Sequence, residues 1–268
     1  MTTLQDYKDH VVADGPLLYW PLTDGDADDV SGNGKNGTVA NGGVFEDVLA
    51  TKFRGASAFT IPLNSSSTSA YLSYSGVLDT NAGTGLTIEF WLSITASAWE
   101  SGGPRLWSDT GSNKFEFTMG TSGGGVRFGT SASTGRCDLS AGAAPYKSAN
   151  YWVFTQNASG SSRLYKNGSL VVGPNTQTVG ADFPDIKLSN NGKLNTISQW
   201  QHVAVFNTEL TASRIAERWA IQAEDLYVFS AYDSNPAIFP VTVTSPHLGN
   251  SGAQKKLTEG QLWPRGNS

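Results

Sequence analysis

Residues 86–94 read LTIEFWLSI, and the rhythm of that run decides the fold class. Leu86, Ile88, Phe90, Leu92 and Ile94 recur at every second position. In an extended chain successive side chains point to opposite faces, so these five apolar residues line one side. A helix of about 3.6 residues per turn would scatter them around its circumference. The segment is therefore a β-strand with one buried face.

Working outward, the same period returns in short bursts. Residues 70–74 (AYLSY) alternate, with Tyr71 and Ser73 facing one way and Leu72 and Tyr74 the other. Strands are expected at 105–109, 114–120 and 125–129, the last two joined by the Gly-rich TSGGG turn. Others follow at 151–157 (YWVFTQN), 162–166 (SRLYK) and 169–172, with Asn167-Gly168 as the hairpin turn, and at 199–206 (QWQHVAVF). Residues 17–22 (LLYWPL) read as the first strand, which Pro21 places at an edge or near a strand end. Helical patterning is confined to 3–12, stopped by Gly15-Pro16, and to 212–223, capped by Thr211 with Ile215 and Trp219 on its buried side. About ten short strands with marginal helices predict an all-β sandwich or jelly roll rather than a parallel α/β fold.

Composition agrees. Charged residues make up 15%, aromatics 11%, and Gly occupies 30 of 268 positions, which suits strands and tight turns better than long helices. A net charge of −5 and no Lys/Arg cluster beyond Lys255-Lys256 argue against a nucleic-acid partner. No run approaches the roughly 18 apolar residues of a membrane span, so no membrane insertion is expected. The N-terminal MTTLQDYKDHVVADGP lacks the basic and apolar regions of a secretory signal. The expectation is a protein that stays in the cytoplasm that made it, or leaves by lysis or a dedicated route. Cys137 is the only cysteine, so no intrachain disulfide forms, and it reads as a small half-buried strand residue.

After Glu224 the character changes. Residues 226–231 and 239–243 are strand-like, but Pro236, Pro240, Pro246 and Pro264 interrupt the segment and its end is polar. The organisation predicted is a β-sandwich with an N-terminal helix over 1–223, and an extended docking arm over 224–268.

Four segments carry a family resemblance. They are ADGPLLYWPLTDG (13–25) with DDVSGNGKNGT (28–38), GTGLTIEFWLSI (83–94), YWVFTQNASGSSRLYKNGSLV (151–171), and VAVFNTELTASRIAERWA (203–220). Together, and in this order, they resemble the concanavalin A-like lectin/glucanase superfamily in its laminin-G-like jelly-roll branch. Tyr19, Trp20, Leu22, Asp29, Ser31, Gly32, Asn33, Gly34 and Gly37 match its opening pattern. The resemblance implies a concanavalin A-like jelly-roll β-sandwich that acts by binding. Bacteriophage minor tail and decoration proteins frequently look like this opening pattern. The closing strand departs from the family: where an acidic "iDev" is usual, residues 197–202 read ISQWQH, so ligand and metal sites do not carry over.

Motifs with chemical meaning thin out on inspection. Residues 32–37 spell GxGxxG, but no helix follows to aim its N-terminus at a pyrophosphate, so the glycines read as turn formers. Residues 120–124 spell GxSxG between two strands instead of a strand and a helix, and His10, His202 and His247 are the only histidines. Glycosidases need two carboxylates flanking one bond, whereas Glu89 and Glu116 each stand alone and would need partners from elsewhere. No catalytic residue is assigned, and no enzyme is expected. Asp24, Asp26, Asp28 and Asp29 form an acidic loop in which Lys35, at the twelfth position, rules out an EF-hand. The loop reads either as a calcium site, which the resemblance raises, or as Asp side chains capping a solvated turn, so no cofactor is assigned.

Trp20, Trp91, Trp107, Trp152 and Trp219 fall in strand or helix patterns and read as core. Trp99, in the loop ASAWESGGP, is the candidate ligand-binding residue, and Trp263, Pro264 and Arg265 in GQLWPRG are the candidate partner-docking residues. The function expected is a non-enzymatic bacteriophage virion protein, a minor tail or capsid-surface component assembled in the host cytoplasm and released by lysis. Its partners would be other virion proteins, copies of itself and host-surface glycans. The alternative is a carbohydrate-binding module of a bacterial surface protein.

Overall fold

The computed structural model describes residues 4–47, 56–62, 70–80, 84–96, 104–108, 115–121, 125–130, 137–139, 149–176, 183–189 and 196–223. The chain divides into two units, Thr2–Leu226 and a second made of Met1 with Tyr227–Ser268. Residues 224–268, with the strands expected at 226–231 and 239–243, lie outside the described residues, as does Met1.

In chain order the elements begin with helix α1 (Leu4–Val12), then β1 (Leu18–Trp20), β2 (Thr38–Ala40), β3 (Val44–Asp47), β4 (Ser57–Ile61) and β5 (Tyr71–Leu78). Next come β6 (Leu86–Ala96), β7 (Arg105–Trp107), β8 (Phe115–Thr121), β9 (Gly125–Thr130) and β10 (Cys137–Leu139). The last are β11 (Asn150–Gln156), β12 (Ser161–Lys166), β13 (Ser169–Thr176), β14 (Phe183–Ser189), β15 (Thr196–Phe206) and helix α2 (Ala212–Ala223).

These strands form two antiparallel sheets. The eight-stranded sheet runs β13-β12-β11-β6-β15-β4-β3, with β1 also paired to β15, and the seven-stranded sheet runs β10-β9-β8-β7-β14-β5-β2. The first strand is shorter than expected. It ends at Trp20, immediately before Pro21, whose missing N–H cannot extend a ladder.

The alternation read from 86–94 becomes the core. Ile88, Phe90 and Leu92 of β6, Trp152 and Phe154 of β11, and Trp200, Val203 and Val205 of β15 face the other sheet. There they meet Phe117, Phe128, Leu72 and Leu188. Phe90 meets Phe117 edge-on at 4.6 Å between ring centroids, and Phe128 stacks on Phe154 at 4.4 Å. Burying each such ring stabilises the fold by roughly 2–3 kcal/mol. Cys137 is fully buried, not half-buried, and burial pushes its thiol up to about 12.

Both helices lie over the outer face of the eight-stranded sheet. Tyr7 and Val11 of α1 and Ile215 of α2 pack with Tyr19, Trp91, Tyr151, Val153, Ala204 and Phe206 in a second core. The two short helices, marginal to the sandwich as expected, thus roof one of its sheets. One irregularity adjusts the register beneath it. Between Gln201↔Trp91 and Ala204↔Glu89, β15 carries one extra residue, and His202 there adopts a φ of 50°. This bulge lets Trp200, Val203 and Val205 share the inner core although 200 and 203 differ in parity.

Candidate functional site

The two sheets differ in what covers them. The outer face of the eight-stranded sheet is roofed, whereas no described helix covers that of the seven-stranded sheet. Register aligns its residues in rows. One row passes through Asp138, Arg127, Thr118, Arg105, Ser189 and Tyr71, and the next through Glu116, Trp107, Lys187, Ser73 and Thr38, so that Trp107, expected in the core, has its register position in this outer row.

Along these rows, opposite charges meet. Arg105 pairs with Glu116 at 3.0 Å and Arg127 with Asp138 at 3.4 Å. The Glu116 carboxylate also accepts from the Thr118 hydroxyl. Lys187 Nζ sits 3.9 Å from the centroid of the half-buried Tyr71 ring, and Ser108 Oγ donates to Asp185 at 2.9 Å. Among the described residues of this face three cations and three carboxylates thus cancel, leaving hydroxyls, guanidinium planes and a cation-capped ring. Such a surface offers stacking and bidentate hydrogen bonds. Glu116 is held by Arg105 and Thr118.

A second constellation lies under the roof. Glu89 and Arg218 are both fully buried and ion-paired, and Tyr151 Oη donates to the same Glu89 oxygen at 2.7 Å. Arg218 also pairs with Asp14, to which Arg214 Nε donates at 2.7 Å. Trp91 Nε1 donates to Tyr7 Oη at 3.2 Å, and Tyr19 Oη and His202 Nδ1 are 2.7 Å apart.

Burial dominates the electrostatics here. It raises the phenols of Tyr7, Tyr19 and Tyr151, with the Glu89 charge acting in the same direction. Burial also lowers His202, helped by Lys8, and lowers His10, helped by the Arg214 guanidinium. For Asp14 burial acts upward, but Arg214 and Arg218 outweigh it and hold the carboxyl below its usual range. Arg218 stays charged, since Glu89 outweighs the desolvation that opposes it.

The sequence-derived candidates fall elsewhere. Trp99, Trp263, Pro264 and Arg265 lie outside the described residues. The acidic loop is described, and three of its four carboxylates have separate tasks. Asp24 pairs with Lys8, and Asp26 accepts from the backbone of Asp28. Asp29 accepts from the backbone N–H of Tyr19 (2.9 Å), Ser31 (3.0 Å) and Lys35 (2.8 Å), and from Ser31 Oγ (2.8 Å). Among the described residues no group of three or more His, Cys, Asp or Glu is placed to hold a metal ion.

The GxGxxG stretch is a turn, as read: Gly32 and Gly34 have φ of 89° and 66°. Asn33 Nδ2 ties it to the Pro16 and Leu17 carbonyls, and Trp20 Nε1 donates to Lys35 O. Trp20, Trp91 and Trp152 are core, as is Trp200, while Trp219 is half-buried and stacked on Trp91 at 5.5 Å. Sequence reading missed Arg218, His202 and the open sheet face. Arg218 gave the signal of an arginine between Ile215 and Trp219 on the apolar side of a helix.

No protein-family model and no curated protein matches the chain. Solved structures do. A receptor binding domain is similar at 18% identity and a TM-score of 0.61, over 81% of this chain and 53% of that one. The binding domain of botulinum neurotoxin DC, solved with rat synaptotagmin II, is similar at 17% identity and a TM-score of 0.59, over 79% and 52%. That of botulinum neurotoxin serotype G is similar at 14% identity and a TM-score of 0.59, over 78% and 51%. The match spans about half the length of these structures, and at such identities the likeness is one of fold.

Proposed function

We propose that the chain is a non-enzymatic binding module whose ligand surface is the open face of the seven-stranded sheet, and that it serves in a bacteriophage particle as a minor tail or capsid-surface component. The observation that carries the binding reading is the asymmetry of the sandwich. One sheet is sealed by two helices, while the other presents Tyr71, Lys187, Arg105, Glu116, Arg127 and Asp138 in two aligned rows. A hydrogen-bonding face whose described charges balance and which carries an aromatic platform at Tyr71 suits a polyhydroxylated ligand such as a host-surface glycan. Folds of this shape occur in receptor-binding domains, which supports adhesion as the role. The phage setting rests on the likeness of residues 13–38 to the opening pattern of phage tail and decoration proteins. In that setting residues 224–268 tie the sandwich to its neighbours.

The alternative, a carbohydrate-binding module of a bacterial surface protein, is favoured by the same open face and differs in what the C-terminal segment does. One pair of measurements tests both parts. A glycan array probed with the full chain and with Tyr71→Ala should show binding that the substitution weakens about tenfold, the loss of one stacked ring. No binding to any glycan overturns the ligand assignment. In parallel, the full chain should assemble and a truncation ending at Ala223 should be monomeric. Identical monomers overturn the virion reading and leave the free-standing module.

A further inference from the structure

Helix α1 is held by the apolar packing of Tyr7 and Val11, by the Lys8–Asp24 ion pair, and by contacts in which His10 and His202 take part. Its last turn is strapped by Arg214 of α2, whose NH2 donates to the His10 carbonyl at 3.1 Å and whose NH1 lies 2.5 Å from His10 Nε2. A guanidinium can only donate, so His10 Nε2 must be an unprotonated acceptor. Its inner turn seats Tyr7 edge-on against the His202 ring at 4.5 Å, and His202 is fully buried. We propose that α1 is an acid-released latch: protonation of His10 and His202 frees it from the eight-stranded sheet and bares Trp91, Tyr19 and His202, while the two-sheet core stays folded.

The charges around the two imidazoles decide the direction. His10 faces Arg214, Arg218 and Glu217 from α2, and Asp14 beyond its own helix. Asp14 is already shared by both arginines, and Glu217 is engaged by Arg214, so a proton on His10 meets chiefly a guanidinium. His202 faces Tyr7 and Lys8 from α1 and Tyr19 from β1. On the neighbouring β6, Glu89 has its Oε2 engaged by both Arg218 and Tyr151. A proton on His10 therefore meets a guanidinium, and one on His202 is charged in a fully buried site.

Both histidines are held below their ordinary value of 6.5 in the latched state. The released state therefore binds protons more readily. The latch has its full strength above about pH 6.5 and weakens steadily as the pH falls below it. Asp14 is held below the usual carboxylate range, so its ion pairs persist until more acid conditions than those that titrate the histidines. The window between about pH 6.5 and about pH 5 is where His10 and His202 take up protons on release. The bulge that gives His202 its φ of 50° also explains its position: it turns the ring out of the inner core and under α1.

Hydrogen exchange of the full chain at about pH 7.5 and about pH 5, compared at equal intrinsic exchange, tests this. Residues 4–12 should lose about tenfold or more of their protection at the lower pH, while 86–94 and 150–156 keep theirs. Equal protection of α1 at both pH values overturns the proposal. So does parallel loss across the central strands, which would mean that acid unfolds the sandwich as a whole. The double variant His10→Gln, His202→Asn should keep α1 protected at both pH values, Asn being tolerant of the left-handed backbone at 202. Should that variant fail to fold, His10→Gln alone must lower the release midpoint by about half a pH unit or more, and an unchanged midpoint overturns the two-histidine latch.

Discussion

Glu89 interrupts the outer face of the strand that announced the fold, and its partner is an arginine 129 residues away. Sequence reading identified it as a solitary carboxylate that needed a partner from elsewhere. It could not name Arg218, because a charged residue on a short helix is ordinarily solvated. The pair is buried on both sides, so breaking it is costly while replacing it is not. Glu89→Ala, which strands a buried guanidinium, should destabilise the protein by about 3–5 kcal/mol in denaturant unfolding. The double change Glu89→Met, Arg218→Met should recover most of that loss. Asp29 is the other residue whose role the structure specifies. Its carboxylate gathers four donors from the segment that joins β1 to the glycine turn. Asp29→Ala should cost about 2 kcal/mol or more, since hydrogen bonds to an ionised acceptor are the stronger kind. Added calcium should leave the melting temperature of the wild type unchanged, because both Asp29 oxygens are already occupied by protein donors.

At the scale of elements, the strands were legible where alternation was clean and the hairpins where glycine marked the turn. The Asn167-Gly168 turn between β12 and β13 is where the sequence placed it. Asn167 and Gly168 have φ of 51° and 79°, the left-handed pair that such a two-residue turn requires. What the sequence did not announce is that this turn also carries α2. A Cβ on Gly168 would lie 2.9 Å from the Trp219 Cβ, so the turn and the helix are in close contact. Gly168→Ala should therefore cost about 1–2 kcal/mol from the backbone alone. It should also shift Trp219 off Trp91, visible as a loss of near-ultraviolet circular dichroism. A normal spectrum with an unchanged melting temperature would show that the helix does not depend on this contact. The bulge in β15 was likewise invisible in QWQHVAVF, where strict alternation sets Trp200 and Val203 on opposite faces. Pairing against β6 and β1 together shifts the register, and only neighbouring strands supply that constraint.

For the whole molecule, the helices distinguish the two faces of the sandwich, and the proposed function rests on that difference. The roofed side holds a network of fixed charges and neutral histidines, and stability should fall as the pH drops from about 6.5 towards 5 and recover fully on neutralisation. Circular dichroism melts at the two pH values check this. A melting temperature that rises on acidification would contradict the assigned protonation states. The open side binds or it does nothing, which the array with Tyr71→Ala decides. The sequence by itself determined the class of fold, the inner core and the turns, because alternation, glycine and asparagine are local signals with local physical causes. Only the tertiary structure decided which sheet is covered, that Glu89 meets Arg218, and that Tyr71, Lys187 and Arg105 share a surface. Those facts depend on strands and helices far apart in the chain being brought together, and a polar residue carries no mark in the sequence of the partner it will find.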